Sequence, residues 1–322
     1  MTPIQPTYLY SFNYDYHHSA LCKLESRQLF DIEESGKVLF SDIAIDPSVS
    51  AFIKNRLEII SSAANYADLL EELMRKDIHM EGFNVDYLIL EGDTAAHPER
   101  RKIQKDIGYC IEGDPDFNHP TITYGIGTYQ SIWYFGVLLT QSVDWHKHKQ
   151  KPRSFSNSLG INIAKTLVNI ATKGIKTKTL LDACCGVGTV LLEARFSDYN
   201  IEGCDINPNS CDFTRENLVH YNYVANVYCS DIKDLNKNYD AAIIDLPYNH
   251  YSYSDDTVAL NIISSTAKLT ERLVIVSMSD LKPMLEKCGL TITDFCMVEK
   301  RGKSKFTRNI WVCEKEGDAI FQ

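Results

Sequence analysis

The sequence predicts an α/β protein whose larger part is a Rossmann-like sheet of seven strands, mostly parallel, with one antiparallel strand at the edge. Three observations support this fold class. The chain has 322 residues, more than one typical domain contains. From residue 158 onward, apolar strand-like stretches alternate with helical ones, as in parallel sheets covered by helices on both faces. The last two strand-like stretches have no helix between them, which indicates the antiparallel member.

Residues 1–145 are predicted to form an α+β region with two segments, 1–80 and 81–145. Its hydrophobic patterns change between a period of two residues and a period near four. They predict, in chain order, a strand at 7–14, a helix over 21–30, a strand at 37–43, a long amphipathic helix within 48–76, a strand at 85–90, a helix over 98–110, and strands at 121–127 and 132–139.

A basic stretch that contains a proline, residues 146–157, is predicted to link the two parts. Residues 158–322 then carry the alternation described above. The predicted helices are 158–171, 186–196, 210–221, 258–270 and 281–288, and the predicted strands are 179–183, 199–205, 227–230, 241–246, 273–278, 292–298 and 309–314. In such sheets ligands bind outside the carboxyl ends of the strands, so residues at those ends are the candidates for a functional site.

The composition fits a folded protein that does not coat nucleic acid indiscriminately. Hydrophobic residues make up 44% of the chain and the formal net charge is −10, whereas non-specific nucleic-acid binding depends on neutralising phosphates. Residues 1–140 hold 11 basic and 21 acidic residues, and residues 141–322 hold 22 of each. No apolar run approaches the roughly 20 residues that span a bilayer and no signal-peptide layout is present, so we expect a cytoplasmic protein without membrane contact.

Two basic clusters and ten cysteines need separate interpretation. The clusters are residues 146–153 and 300–308, and a solvated loop is the simplest explanation of each. The cysteines are expected to be reduced core residues rather than a disulfide framework. Because Cys184 and Cys185 are adjacent and no C-x-x-C pair exists, we predict no metal site.

A glycine turn follows the first strand of the second part. Within Leu180–Glu193, Gly186 and Gly188 let the backbone pass close to a ligand because they lack a Cβ atom. Asp182, at the end of the strand, can accept a hydrogen bond from an ammonium group or a water. A tight strand-to-helix turn is the simpler explanation, and a dehydrogenase fingerprint does not fit because position 191 is leucine instead of the third glycine.

Carboxylates also end the next two predicted strands. Asp205, followed by Ile206, lies 17 positions after Gly188, where an acid can accept hydrogen bonds from both hydroxyls of a ribose. A cap for the following helix is the alternative role of Asp205. Asp231, followed by Ile232, is placed to accept a hydrogen bond from an adenine amino group.

The decisive segment is Ala241–Tyr248, in which an apolar strand delivers an acid, a proline and an aromatic ring to the same end of the sheet. Methylation of an aromatic amine requires that its nitrogen lone pair leave conjugation with the ring. The Asp245 carboxylate and the Leu246 carbonyl achieve this by accepting the two N–H bonds, while Pro247 ends the strand and Tyr248 stacks on the base. The segment predicts methyl transfer to a base amino group, and a plain strand-ending turn is the alternative.

The Asp-Leu-Pro-Tyr set resembles the D/N-P-P-Y signature of amino-group methyltransferases, with leucine in place of the first proline. Residues 151–322 resemble the catalytic domain of the THUMP-containing tRNA guanosine N2-methyltransferases. Arg153–Gly160 is similar to the family segment that closes over the methionine end of the cofactor. The resemblance implies a methyltransferase sheet and S-adenosylmethionine as the cofactor, with its methionine end near Phe155, Asp182 and Gly186.

The first part resembles a THUMP domain over residues 81–145, preceded by a ferredoxin-like segment over residues 1–80. In this family THUMP domains grip the acceptor end of tRNA. Phe306–Ile310 is similar to the segment of the family that carries a threonine-arginine pair before the last strand. The resemblance and the basic clusters imply substrate contacts at Arg100, Arg101, Lys303, Lys305 and Arg308.

The sequence therefore predicts a monomeric enzyme that methylates RNA, with guanosine N2 of tRNA as the leading target; a small activator protein remains open. The same signature serves methylation of adenine N6 in DNA or rRNA and of glutamine side chains in proteins, so both stay as alternatives. A catalytically silent subunit that only binds the cofactor is a third alternative, against which the intact segment Asp245–Tyr248 argues.

Overall fold

The computed structural model describes residues 7–156, 158–247, 253–300 and 306–315. These residues form two compact units. The first unit consists of the described residues up to Asn13 together with Glu33–Ser48 and Phe52–Ser142. The second consists of Tyr14–Ile32, Val49–Ala51 and the described residues from Val143 onward. Both units are therefore assembled from separated stretches of the chain.

Helices and strands are numbered in chain order. The helices are α1 (Ser19–Phe30), α2 (Tyr66–Lys76), α3 (His97–Gly108), α4 (Ile161–Thr172), α5 (Thr189–Phe196), α6 (Pro208–His220), α7 (Tyr253–Leu269) and α8 (Lys282–Lys287). The strands are β1 (Tyr8–Phe12), β2 (Val38–Ser41), β3 (Ile53–Ala63), β4 (Ile78–His79), β5 (Phe83–Tyr87), β6 (Ile111–Glu112), β7 (Ile122–Tyr129), β8 (Ile132–Thr140), β9 (Thr179–Asp182), β10 (Asn200–Asp205), β11 (Val227–Cys229), β12 (Ala241–Asp245), β13 (Arg272–Ser277), β14 (Leu290–Lys300) and β15 (Phe306–Lys315).

The first unit contains a six-stranded sheet in the order β2-β1-β3-β8-β7-β5 and a small sheet of β4 and β6. The long helix predicted within residues 48–76 is wrong, because its first half is strand β3 and only its second half is helix α2. Ile53, Leu57 and Ser61 are buried in β3, and their four-residue spacing satisfies a strand as well as a helix. Pairing of β3 with the distant β8 decides between the two.

The predicted segments 1–80 and 81–145 differ from the observed units. Strands from both sides of residue 80 belong to one sheet, because β3 is hydrogen-bonded to β8. Helix α1, which lies within the first predicted segment, belongs to the second unit. Residues 146–150 of the predicted linker belong to a 3-10 helix, Asp144–Gln150. Long-range pairings of this kind leave no trace in local periodicity.

The second unit contains the predicted seven-stranded sheet, in the order β11-β10-β9-β12-β13-β15-β14. Strands β9 to β13 are paired in parallel, and β15 is antiparallel to both of its neighbours. The mostly parallel Rossmann-like sheet is thus confirmed. The antiparallel strand lies one place in from the edge, because the last strand inserts between β13 and β14.

The ten cysteines are free thiols, most of them buried. Cys229, at the end of a strand, is exposed, and Cys184 and Cys288 are partly buried. Among the helices in the described ranges, none combines the length and the apolar character needed to cross a membrane.

Helix α1 is fixed to the second unit by a buried carboxyl group. Glu25 is 1% exposed and accepts hydrogen bonds from Ser50 Oγ at 2.7 Å and Asn169 Nδ2 at 2.6 Å. Asn169, on α4, also donates to the Val49 carbonyl at 2.9 Å. Burial raises the pKa of Glu25 to about 7, although these two hydrogen bonds and the charge of Lys165 act in the opposite direction. The helix is therefore held by a group that is protonated over much of the acidic range.

We predict that Glu25→Gln removes a pH-dependent part of the free energy of unfolding. The folded chain keeps the proton on Glu25 up to about pH 7, whereas the unfolded chain releases it near pH 4.5. Wild-type stability should therefore fall as the pH rises from 4.5 to 7, by about 3 kcal/mol from this group. Glutamine cannot ionise and can bond to the same two partners.

Denaturant unfolding at several pH values checks this prediction. The stability difference between Glu25→Gln and wild type should shift in favour of the variant as the pH rises. The same substitution at the exposed Glu286 is the matched control. An identical pH profile for wild type and Glu25→Gln would contradict the assignment.

Candidate functional site

The carboxyl ends of four strands of the second unit surround a cavity of about 920 Å³. Its volume is within the usual range of sites for small molecules and cofactors. Residues predicted to bind the cofactor or to act in catalysis line it, namely Phe155, Asp182, Gly186, Asp205, Ile206, Asp231, Ile232, Asp245, Leu246 and Pro247. The structure therefore brings the predicted cofactor residues and the predicted catalytic segment to one place.

The two glycines of the turn have different roles. Gly186 has φ of +54°, and a Cβ atom there would meet nothing within 4 Å, so the backbone is open to the cavity. Gly188 does not line the cavity. It has φ of +78°, and its missing Cβ atom would lie 2.7 Å from Cγ2 of Thr214. Gly186 is thus available for close approach to a ligand, whereas Gly188 lets α5 begin close to α6.

Asp205 is held in place by backbone hydrogen bonds. One carboxylate oxygen accepts from the Gly186 N–H and the other from the Asn207 N–H, each at 2.8 Å. Each oxygen retains capacity for a further donor, which suits a pair of ribose hydroxyls. The N-cap of α6 is Asn207, whose side chain accepts from the Asn209 N–H. The alternative role of Asp205 as that cap is therefore excluded.

Asp231 precedes a single 3-10 turn and caps it. Its carboxylate accepts from the Lys233 N–H at 3.1 Å and lies 3.0 Å from Lys233 Nζ. These contacts with Lys233 lower the pKa of Asp231. The neighbouring Ile232 is buried. An ionised acceptor beside an apolar side chain is an arrangement that suits the amino edge and the face of a purine.

The cavity carries an excess of negative charge. Asp182 is 2% exposed, and its pKa is raised well above the usual range by burial and then by Asp245 and Asp205. Lys268 and Lys233 are the basic residues that line the cavity, and Lys233 is paired with Asp231. Crowded carboxyl groups in a recess favour a positively charged ligand. S-adenosylmethionine, with its sulfonium and ammonium groups, fits this charge distribution.

The catalytic segment leaves the sheet at the rim of the cavity. Asp245 is half-buried at the end of β12, whose preceding residues are fully buried. Leu246 is 7% exposed, packs into the core of the unit and donates its N–H to the Val276 carbonyl at 3.1 Å. Pro247 is exposed, and Tyr248 lies outside the described residues. Leu246, at the position where the signature that this segment resembles has proline, thus serves as a core residue.

Asn217, which sequence reasoning missed, joins two walls of the cavity. Its side chain is fully buried and forms hydrogen bonds with both the N–H and the carbonyl of Arg153, at 2.9 and 3.0 Å. Its Nδ2 also donates to the Val187 carbonyl at 2.8 Å. The segment that leads to Phe155 is thereby tied to the glycine turn. In the sequence, Asn217 is one polar residue of an amphipathic helix and carries no signal.

Helix α7 contributes polar residues that were also missed. Asn261, Ser264, Ser265 and Lys268 line the cavity. Their spacing of three to four residues places them on one face of the helix. A polar stripe on a helix that directly follows the catalytic segment was a usable sequence signal.

The predicted substrate contacts are placed differently. Arg100 and Arg101 line a second cavity, of about 780 Å³, within the first unit, together with Lys37, Lys54 and His97. Arg308 is 4% exposed on the same face of β15 as the buried Ile310 and Val312, so the prediction that it contacts phosphates is wrong. Lys303 and Lys305 lie outside the described residues.

Comparison with known proteins relates the second unit to methyltransferases. Residues 151–288 match the family model described as Methyltransferase small domain. A tRNA (guanine(10)-N2)-dimethyltransferase of Methanothermobacter thermautotrophicus is 28% identical over 240 residues, which cover 68% of this chain and 69% of that protein. All the residues that line the large cavity lie within the matched range 151–288.

Two solved structures resemble nearly the whole chain at low identity. TrmN from Thermus thermophilus has a TM-score of 0.48 and 13% identity, and the similarity covers 96% of this chain and 99% of that one. A predicted N6-adenine-specific DNA methylase from Listeria monocytogenes has a TM-score of 0.46 and 12% identity, with 97% of each chain covered.

We predict that Asn217→Ala weakens cofactor binding. Without its three hydrogen bonds, Arg153 and Val187 are no longer held together, and the Kd for S-adenosylmethionine should rise about tenfold, while stability falls by about 1–3 kcal/mol. Asn217→Asp should bind almost as poorly, because an aspartate keeps the acceptor and loses both donors. Isothermal titration checks this, with the exposed Asn209→Ala on the same helix as the control. Equal affinities for the two alanine variants would refute the role.

We also predict opposite effects for the two glycines. Gly188→Ala adds a crowded Cβ atom and a left-handed alanine, and should cost about 2–4 kcal/mol of stability. Gly186→Ala has only the backbone strain, roughly 1–2 kcal/mol, but should weaken S-adenosylmethionine binding more, because its Cβ atom points into open space at the cavity. Denaturant unfolding should show the larger loss of stability for Gly188→Ala, and titration with S-adenosylmethionine should show the larger loss of affinity for Gly186→Ala. A reversed ranking in either measurement would count against these roles.

Proposed function

Because this chain is an S-adenosylmethionine-dependent methyltransferase, we propose that it methylates an exocyclic amino group of a nucleobase in RNA, with guanosine N2 of tRNA as the foremost target. One observation carries the proposal. Asp245, the acid of the amino-methyltransferase signature, lies at the rim of the same cavity as Asp182, Gly186 and Asp205. An acceptor for amine hydrogens is therefore next to the residues proposed to hold the cofactor.

Different residues of the cavity contact different parts of the cofactor. S-adenosylmethionine supplies an electrophilic methyl group on a positively charged sulfur. Asp182 accepts from the ammonium group near the open backbone of Gly186, and Asp205 accepts from the ribose hydroxyls. Asp231 accepts from the adenine amino group. Burial and then the neighbouring acids raise the pKa of Asp182, and a cationic ligand favours its charged form, so binding and ionisation of this group support each other.

The catalytic segment prepares the amine. Asp245 and the Leu246 carbonyl accept the two N–H bonds, which takes the nitrogen lone pair out of conjugation and directs it toward the methyl group. Tyr248 is proposed to stack on the base, which must be unpaired or flipped out of its helix. No strong base is required, since the nitrogen loses a proton readily once it carries the methyl group.

RNA is favoured as the substrate by two observations. The Methanothermobacter relative is named for a tRNA guanine amino group. The first unit carries a cavity with Arg100 and Arg101 on its wall, in a part of the chain that is otherwise acidic. Arg101 is exposed, whereas Arg100 donates Nε to the Ala95 carbonyl at 2.7 Å. We propose that this THUMP-like unit contacts the RNA through these arginines.

Transfer of a labelled methyl group tests the substrate class. The purified chain is incubated separately with RNA, DNA and protein extract, and the labelled product is identified after nuclease digestion. N2-methylguanosine in tRNA is the expected product. N6-methyladenine in DNA or rRNA, or methylated glutamine, would replace the proposal with the corresponding alternative, and no transfer to any acceptor would favour the silent subunit.

We predict that Asp245→Asn lowers kcat by about 10²–10³, the usual cost of removing one group that stabilises a transition state electrostatically. Asparagine still fits the site, but its amide can present a donor to the amine, and its oxygen is a weaker acceptor than a carboxylate. The Kd for S-adenosylmethionine should stay within about threefold, since Asp182 and Asp205 remain. The exposed Asp212→Asn is the control. Undiminished turnover in Asp245→Asn would show that another group accepts the amine hydrogens.

A further inference from the structure

The basic segment 144–153 is held in a fixed position on the second unit. Its 3-10 helix buries Trp145 and His148, while Lys147 and Lys149 are exposed. Asp144 is the acidic residue of the segment, against Lys147, Lys149, Lys151 and Arg153. A solvated linker with this composition would not need buried anchors.

The anchor of the segment is a buried group of charged and polar side chains. His148 Nδ1 lies 2.8 Å from Glu193 Oε1, and its Nε2 lies 3.2 Å from the Tyr223 hydroxyl. Lys165 Nζ lies 3.9 Å from the other oxygen of Glu193. His148, Glu193 and Lys165 are at most 1% exposed. Breaking such a group by removing one partner is strongly destabilising, so the segment is bound firmly to α4 and α5.

Aromatic side chains lie around the exposed Lys147. Lys147 Nζ lies 5.6 to 5.8 Å from the ring centres of Phe196, Tyr221 and Tyr223. The Tyr221 hydroxyl also donates to the Lys147 carbonyl at 2.8 Å. Cations interleaved with partly exposed aromatic rings are typical of surfaces that bind nucleic-acid strands.

The segment continues directly into the wall of the large cavity. Arg153 is tied to the glycine turn by Asn217, and Phe155, two residues further, lines the cavity. Lys149 and Phe155 are six positions apart, so the two lie within about 22 Å even along an extended chain. Arg153 pairs with Glu216, but both side chains are about half exposed, and the guanidinium has further donors.

We propose that Lys147, Lys149 and Arg153 form a basic surface that contacts the phosphates of the RNA substrate beside the methyl-transfer site. The inference rests on the proposed function, since it presumes an RNA substrate. A chain with a net charge of −10 cannot hold RNA by its overall charge, so it needs local cationic surfaces. This surface is rigid, is rich in cations and leads to the catalytic cavity.

The double variant Lys147→Ala/Lys149→Ala tests the surface. We expect the Kd for tRNA, measured by fluorescence anisotropy near 0.1 M salt, to rise about tenfold or more. The slope of log K against log salt should fall by about 0.7 to 1 for each lost lysine. The kcat at saturating tRNA and the Kd for S-adenosylmethionine should stay unchanged. Lys282→Ala/Lys287→Ala, on the exposed face of α8, removes the same charge and should behave as wild type.

The outcomes separate this inference from the proposed function. If wild type methylates RNA and the two double variants bind tRNA equally, the basic surface is refuted and the proposed function stands. If wild type transfers methyl groups only to DNA or protein, the proposed function fails and the inference fails with it. The single variant Lys149→Glu, at an exposed position away from the aromatic rings, confirms the result in a chain with unaltered ring contacts.

Discussion

The parallel pairing of β9 with β10 and β12 is the constraint on which the site depends. It brings the last residues of three strands, Asp182, Asp205 and Asp245, to one edge of the sheet. Burial, and then the neighbouring Asp245 and Asp205, raise the pKa of Asp182 well above its usual range, so a charged Asp182 is unfavourable in the recess. Backbone N–H donors compensate at Asp205, and a cationic ligand completes the compensation. The carboxyl groups at this edge of the sheet therefore favour binding of a positively charged ligand, such as a sulfonium cofactor.

The two units contribute differently to the proposed function. The second unit contains the cavity, the glycine turn and the acids, and the range that matches the family model, residues 151–288, lies within it. The first unit has more acidic than basic residues, and its cavity is lined by Lys37, Lys54, Arg100 and Arg101. Its contribution to RNA recognition would be local. We propose that the basic surface on the second unit, anchored by His148, gives the catalytic part its own contacts with a polyanionic substrate.

Local sequence patterns were sufficient for most of the second unit. Its helices and strands alternate with distinct periodicity, and Asp182, Gly186, Asp205, Asp231 and Asp245 could be identified because each follows an apolar strand. Local patterns were insufficient where contacts with distant segments determine the secondary structure or the burial of a residue. β3 was predicted as a helix because its buried residues are four apart, and Arg308 was predicted at the surface because its neighbours are basic. Asn217 was missed because its role consists of contacts with residues 30 and 64 positions away.

The attachment of α1 to the second unit makes that unit discontinuous in the chain. Residues 14–32 leave the ribosome early, whereas Asn169, Arg272 and Asp294, which bind them through Glu25, Gln28 and Arg27, follow more than a hundred positions later. During synthesis α1 emerges before the residues on which it packs, so a long loop between them has to close when the unit folds. A chain cut before residue 143 would remove the acceptors of Asn169 and Arg272 and uncover the face of α4 on which α1 packs. The catalytic unit thus cannot be excised as a C-terminal piece, and any exchange of the first unit between relatives must preserve the early helix.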